Sequence, residues 1–151
     1  MSYTLEVIPG KSIGPFRLGM TAQDVESALQ AFAPERKLWD LGIVAHFAET
    51  DEQGAEARCS RLSVCVVGNS GDVVLFGRRV NEIDRDEAAS LLASSGFPLH
   101  RSYSCCEIKE IGLQAFRWES SDDWIYAFDV VPPSVADRKT SEGEASGDVA
   151  L

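Results

Sequence analysis

The chain has 151 residues, a formal net charge of −10 and 44% hydrophobic residues. This length can bury enough surface for one domain without disulfide or metal staples, and no apolar run approaches the ~18 residues of a membrane span. The acidic balance disfavours nucleic acid as a partner, because phosphate contacts need clustered Lys and Arg; the 14 basic residues are scattered, with Arg78-Arg79 as a dense pair.

The first residues, MSYTLEVIPGK, carry neither a basic start nor an apolar stretch. No secretory signal is expected, and the chain reads as cytoplasmic. Tyr3 to Ile8 alternates apolar and polar residues and predicts a strand that Pro9-Gly10 ends. Gly10-Lys11-Ser12 resembles the tail of a phosphate-binding loop, but that motif needs a glycine where Leu5 stands, so the segment reads as a turn.

The stretch IGPFRLGMTAQDVESAL, Ile13 to Leu29, turns at Gly19 and starts a helix on Thr21. Thr21 is a good N-cap and Asp24 stands at N3, a capping box with Asp in place of Glu. Val25, Leu29 and Phe32 recur at helical spacing, and Pro34 stops the helix. Leu38 to Ala48, with Trp39, Ile43, Val44 and Phe47, predicts a strand after a turn at Asp40-Leu41-Gly42. Glu49 to Ala57 is polar and reads as an exposed acidic loop.

Arg61 to Val67 predicts a strand, Gly68 to Asp72 a hairpin loop and Val73 to Phe76 the returning strand. The Gly-Asn-Ser-Gly fragment lacks the spacing of a nucleophile elbow and sits between two strands, which argues against Ser70 as a nucleophile. Asp84 and Glu87 cap a second helix whose apolar face is Ala88, Leu91 and Leu92; Gly96 fits just past its end, and Pro98 prevents continuation. A strand is expected through Tyr103 to Cys105. Leu113 to Trp118 and Trp124 to Val130 predict a hairpin around Ser120 to Asp123. Alternation there places Trp124, Tyr126 and Phe128 opposite Ile125 and Ala127.

These elements describe an α+β fold: two helices packed on antiparallel sheet. The two cap signals, Thr21/Asp24 and Asp84/Glu87, lie 63 residues apart and suggest two pseudo-repeated helix-plus-hairpin halves. Residues 1–133 form the expected domain. Residues 134–151 are rich in Ser, Gly and charge and read as a disordered acidic tail.

The segment GPFRLGMTAQDVESAL, with the motif GPFRLGMTAQDV at its core, resembles the helix entry of small bacterial α+β proteins, among them β-lactamase-inhibitor-protein-like, BamE-like and immunity-like proteins. The resemblance implies a helix packed on antiparallel sheet and a protein-binding role. It covers about 16 of the 151 residues.

Chemistry is hard to find. Cys59 and Cys65 have five residues between them, and Cys105 and Cys106 have none. A zinc site of four thiolates wants two to four in each pair, and a vicinal pair bridges only with strain. The four thiols therefore read as reduced, and no metal or cofactor is expected. His46 and His100 have no partner at metal-ligand spacing. The leading functional reading is a non-enzymatic protein-binding module, most concretely an immunity-type protein neutralising a basic toxin in a bacterium. Its binding surface would comprise Glu49, Asp51, Glu52 and Glu56 on one loop, with Asp122, Asp123 and Trp124 at the last hairpin. The alternative is a small-molecule-binding or enzymatic domain with a cleft near His100, Cys106 and Asp129.

Overall fold

The computed structural model describes residues 3–48, 57–102, 105–117 and 125–133. Strand β1 (Thr4–Ile8) turns Leu5 and Val7 inward. The chain then folds twice into short strands, β2 (Ser12–Ile13) and β3 (Phe16–Arg17), where the sequence shows only a Gly/Pro-bounded approach.

Helix α1 (Ala22–Phe32) starts on the predicted capping box. Thr21 Oγ1 accepts from the Asp24 N–H at 3.1 Å, and Asp24 Oδ2 accepts from the Thr21 N–H at 3.1 Å. Val25 and Leu29 are buried, and the Phe32 ring meets Phe16 and Tyr3 edge-on at 6.3 Å. Beyond Pro34 comes a short 3-10 helix, Leu38–Leu41, then β4 (Ile43–Phe47). The turn expected at Asp40-Leu41-Gly42 is this 3-10 helix, which begins at Leu38 and takes in Trp39, and the strand expected after it runs from Ile43 to Phe47.

The Gly68 to Asp72 segment is not a hairpin. Strand β5 (Cys59–Cys65) pairs with β4, whereas β6 (Asp72–Leu75) leaves for the other sheet and runs parallel to β1, Thr4 opposite Asp72 through Val7 opposite Leu75. Asn69 directs this exit. Its Nδ2 donates to the carbonyls of Leu41 at 3.0 Å and Cys65 at 2.8 Å, and its Oδ1 accepts from the Tyr3 hydroxyl at 2.8 Å and the Gly71 N–H at 2.9 Å. A Cβ on Gly71 would lie 2.1 Å from the Tyr3 ring, so only glycine passes here. Strand β7 (Arg78–Arg79) returns along β6, and the buried Asn81 fastens the turn: its Oδ1 accepts from the Val73 N–H and its Nδ2 donates to the Gly71 carbonyl, both at 2.8 Å.

Helix α2 (Arg85–Ala93) carries the second predicted capping box, with Asp84 Oδ1 accepting from Glu87 N–H at 2.7 Å and Glu87 Oε1 from Asp84 N–H at 3.2 Å. Ala88 and Leu92 are buried. The helix ends at Ser94, so Gly96 lies two residues past the cap. Strands β8 (His100–Arg101), β9 (Cys105–Ile108), β10 (Leu113–Arg117) and β11 (Ile125–Val130) follow. The single strand expected through Tyr103 is two strands, and positions 103 and 104 lie outside the described residues. The β10–β11 pairing is the predicted one, but its register shifts at Phe116/Arg117. That shift buries both Ile125 and Phe128, three residues apart, and breaks the expected alternation.

The first sheet runs β3-β2-β1-β6-β7 and the second β4-β5-β11-β10-β9-β8; apart from β1 with β6, every pairing is antiparallel. Two helices and two mostly antiparallel sheets make this an α+β fold. Buried side chains of both sheets and both helices form one core, from Leu5, Val7 and Leu75 to Leu62, Val64, Ile108 and Phe128. No described helix is long and apolar enough to cross a membrane. The tail expected from residue 134 lies outside the described residues.

Two truncations test this scheme. Leu29→Ala should lower stability by about 2–5 kcal/mol through the cavity it leaves. Asn69→Ala should cost about 2–4 kcal/mol, because four hydrogen bonds go at once. Urea unfolding followed by tryptophan fluorescence reads both, and an unchanged midpoint for Asn69→Ala would show that the sheet crossing is held elsewhere.

Candidate functional site

Glu49, Asp51, Glu52, Glu56, Asp122, Asp123 and Trp124, the expected binding residues, lie outside the described residues. The alternative trio can be placed. His100 is exposed on β8 and sits opposite Glu107; Glu107 sits opposite Gln114, and Gln114 opposite Asp129. His100 and Asp129 thus share one face and one transverse row, but three strand spacings, about 14 Å, separate them. Cys106 pairs with the buried Ala115 and turns to the other, core-facing side. The trio therefore shares no cavity.

Asp129 is already satisfied. Arg61 Nη1 donates to its Oδ2 and also to Gln114 Oε1 at 3.2 Å, while Gln114 Nε2 donates to Glu107 Oε2 at 3.0 Å. This network crosses the outer face from β5 to β9 and ties the strands together.

Cys105 and Cys106 line a cleft of about 280 Å³ between α2 and the β8–β9 edge, with Arg101 and Asp86 also lining it. Neither thiol is activated. Burial, and then the charge of Glu107, pushes Cys105 up to about 11. Burial also raises Cys106, with Arg101 offsetting part of the effect. Protonated thiols are poor nucleophiles, and His100 does not line the cleft. Among the described residues, no group of three or more His, Cys, Asp or Glu is placed to hold a metal.

A different feature stands out at the opposite edge of this sheet. Among the described residues, strand β4 is terminal and pairs only with β5. The Cys65 N–H donates to the Gly42 carbonyl at 2.8 Å and the Ala48 N–H to the Arg58 carbonyl at 3.0 Å. By alternation from the Gly42–Cys65 pair, Val44 and His46 face β5, and the N–H and C=O groups of Ile43 and Ala45 point outward. Among the described residues nothing pairs with them. The strand reads Ile-Val-Ala-His-Phe and has none of the Lys, acid or Pro guards that usually blunt an edge.

Both flanks of β4 are hollow. On the core side, a groove of about 330 Å³ separates it from α1; Val25, Leu29, Ala45 and Phe47 are among the apolar lining residues, and Arg36 and Lys37 also line it. On the outer side, a groove of about 410 Å³ is lined by Trp39, Val44, Cys65 and Val67. Trp39 is 74% exposed, an unusual state for so large an apolar ring. The 3-10 helix holds it there: Asp40 Oδ2 accepts from the Lys37 N–H at 2.9 Å, and Gly42 closes the turn with φ of 76°.

Nothing in the sequence singles out Arg36-Lys37, and the turn expected at Asp40-Leu41-Gly42 does not mark Trp39 as exposed. The spacing Lys37-x-x-Asp40 before Gly42 extends that expected turn back to Leu38. The edge position of β4 had no local signal, because it depends on sheet order. No protein-family model, curated protein or solved structure matches the chain.

The thiols give a direct test. Cys105 should resist iodoacetamide at pH 7.5, and its alkylation rate should keep rising to pH about 11. The folded protein holds this proton more tightly than the unfolded chain, so the stability it lends is complete below pH 9.0 and is lost as pH climbs through about 11. Cys105→Ala should remove that part of the alkaline decline. A labelling midpoint at or below 9.0 by mass spectrometry would contradict a half-buried, unactivated thiol.

Proposed function

We propose that the chain is a non-enzymatic protein-binding module that receives an extended segment of its partner as an added strand along β4. The observation that carries this is the outward-pointing backbone of Ile43 and Ala45, unpaired among the described residues, between two grooves. Strand addition draws affinity from main-chain hydrogen bonds and specificity from pockets for alternate side chains. One set of partner side chains would enter the α1–β4 groove, and the other would lie against Val44 and Trp39. Five residues of β4 at about 3.3 Å each offer roughly 17 Å of edge.

The most concrete form of this reading is an immunity-type protein of a bacterial cytoplasm that neutralises a basic toxin. The net charge of −10 supports it, since it favours encounter with a basic body, and so does the helix-entry resemblance at GPFRLGMTAQDV. A duplication of the helix-plus-hairpin half is a further proposal, supported by two capping boxes of the same pattern.

Ala45→Pro tests the edge. It removes an N–H that the β4–β5 ladder does not use, so the fold should persist with a melting temperature close to that of the parent. Panning a random octapeptide display library on the full chain should enrich peptides that bind the parent and fail on Ala45→Pro. Enriched peptides that bind both equally, or no enrichment at all, would overturn strand addition.

A further inference from the structure

We infer that the segment docking on β4 is an acidic one, with apolar side chains for the α1–β4 groove and Asp or Glu side chains placed against Arg36 and Lys37. The inference rests on the strand-addition reading and names the chemistry of its ligand.

Three observations carry it. First, Arg36 and Lys37 both line the α1–β4 groove, in a chain with 24 acidic and only 14 basic residues. Second, neither cation has a carboxylate partner among the described residues, whereas Arg61, Arg78 and Arg79 are paired with Asp129, Glu87 and Asp72. The one carboxylate that lines the groove, Glu26, accepts from Gln30 Nε2 at 3.3 Å on its own helix. Third, Arg36 is preorganised. Its guanidinium carbon stands 5.6 Å from the centre of the Tyr3 ring, which restrains the side chain and leaves its N–H donors available.

An acidic ligand approaching a chain of charge −10 meets long-range repulsion, but that field is screened over about 8 Å at physiological salt. A contact pair at the groove acts inside that distance. The inference concerns the docked segment only, and a partner that is basic overall can still present it. A second copy of this chain is the less favoured occupant, since two bodies of charge −10 repel each other.

The test uses the octapeptides selected on the full chain, measured by fluorescence anisotropy. The selected peptides should be enriched in Asp and Glu. Replacing those residues by Asn and Gln should weaken binding about tenfold, the scale of a charge-assisted hydrogen bond. The double variant Arg36→Glu, Lys37→Glu should weaken the acidic peptides by at least as much and bind their Lys-substituted twins better than the parent does. Equal binding of acidic and amide peptides, or full binding of acidic peptides to the double variant, would overturn the inference and leave strand addition standing if Ala45→Pro still abolishes binding. Acidic peptides that ignore Ala45→Pro would overturn both. A chain that forms a dimer at micromolar concentration, dissociated by Ala45→Pro in sedimentation, would assign the edge to a second copy and overturn the acidic-segment inference. Melting curves of each variant exclude unfolding as the cause.

Discussion

The side-chain amide of Asn69 is the constraint on which the two-sheet arrangement depends. An asparagine amide has two donors and an acceptor oxygen with two lone pairs, and here all are engaged: the 3-10 helix at Leu41, the end of β5 at Cys65, the base of β1 at Tyr3 and the following turn at Gly71. The chain leaves one sheet and enters the other at this residue. The demand propagates outward. Gly42 must lack a side chain, because a Cβ would sit 2.7 Å from Asn69 Nδ2, and Gly42 both closes the turn that carries Trp39 and begins the approach to β4. One amide thus sets the geometry of the β4 edge and of the groove beside it.

The outer face of the second sheet shows how a charged network can be structural. Arg61, Asp129, Gln114 and Glu107 come from four neighbouring strands; Arg61 donates to both Asp129 and Gln114, and Gln114 donates to Glu107. A one-residue slip of any strand would send its member to the core, so the network specifies register. Asp129 is a suspicious residue when read alone, a buried acid near the end of the domain. In place, it is the counter-ion of a lattice of side chains, and the two thiols at the opposite edge are held protonated by burial.

What was legible in the sequence was local. Both capping boxes are relations between residues three apart, and both helices start where Thr21 and Asp84 place them. The strands around Val64 and Phe128 follow from apolar content that no other element could bury. The crossing at Gly68 to Gly71 was misread because Gly, Asn and Ser serve a hairpin and a sheet change equally well; the bond that decides between them joins Asn69 to Tyr3, 66 residues away. The α1–β4 groove was illegible for the same reason. That β4 is an edge, and that Arg36 and Lys37 line the gap beside it, are consequences of strand order. The acidic residues expected to bind, Glu49 to Glu56 and Asp122-Asp123, lie outside the described residues.

The parallel alignment of β1 with β6 also has a kinetic consequence. Leu5 finds its neighbour Val73 only when the chain has been made nearly to its midpoint, and β5 finds β11 later still, across 68 residues from Arg61 to Asp129. Closing such long loops before any contact compensates for their entropy makes folding slow. During synthesis the β4–β5 hairpin can form early, yet both its long sides stay open until β11 emerges. The nascent chain therefore exposes two strand edges, and among the described residues one of them, β4, keeps its outer side unpaired in the finished fold.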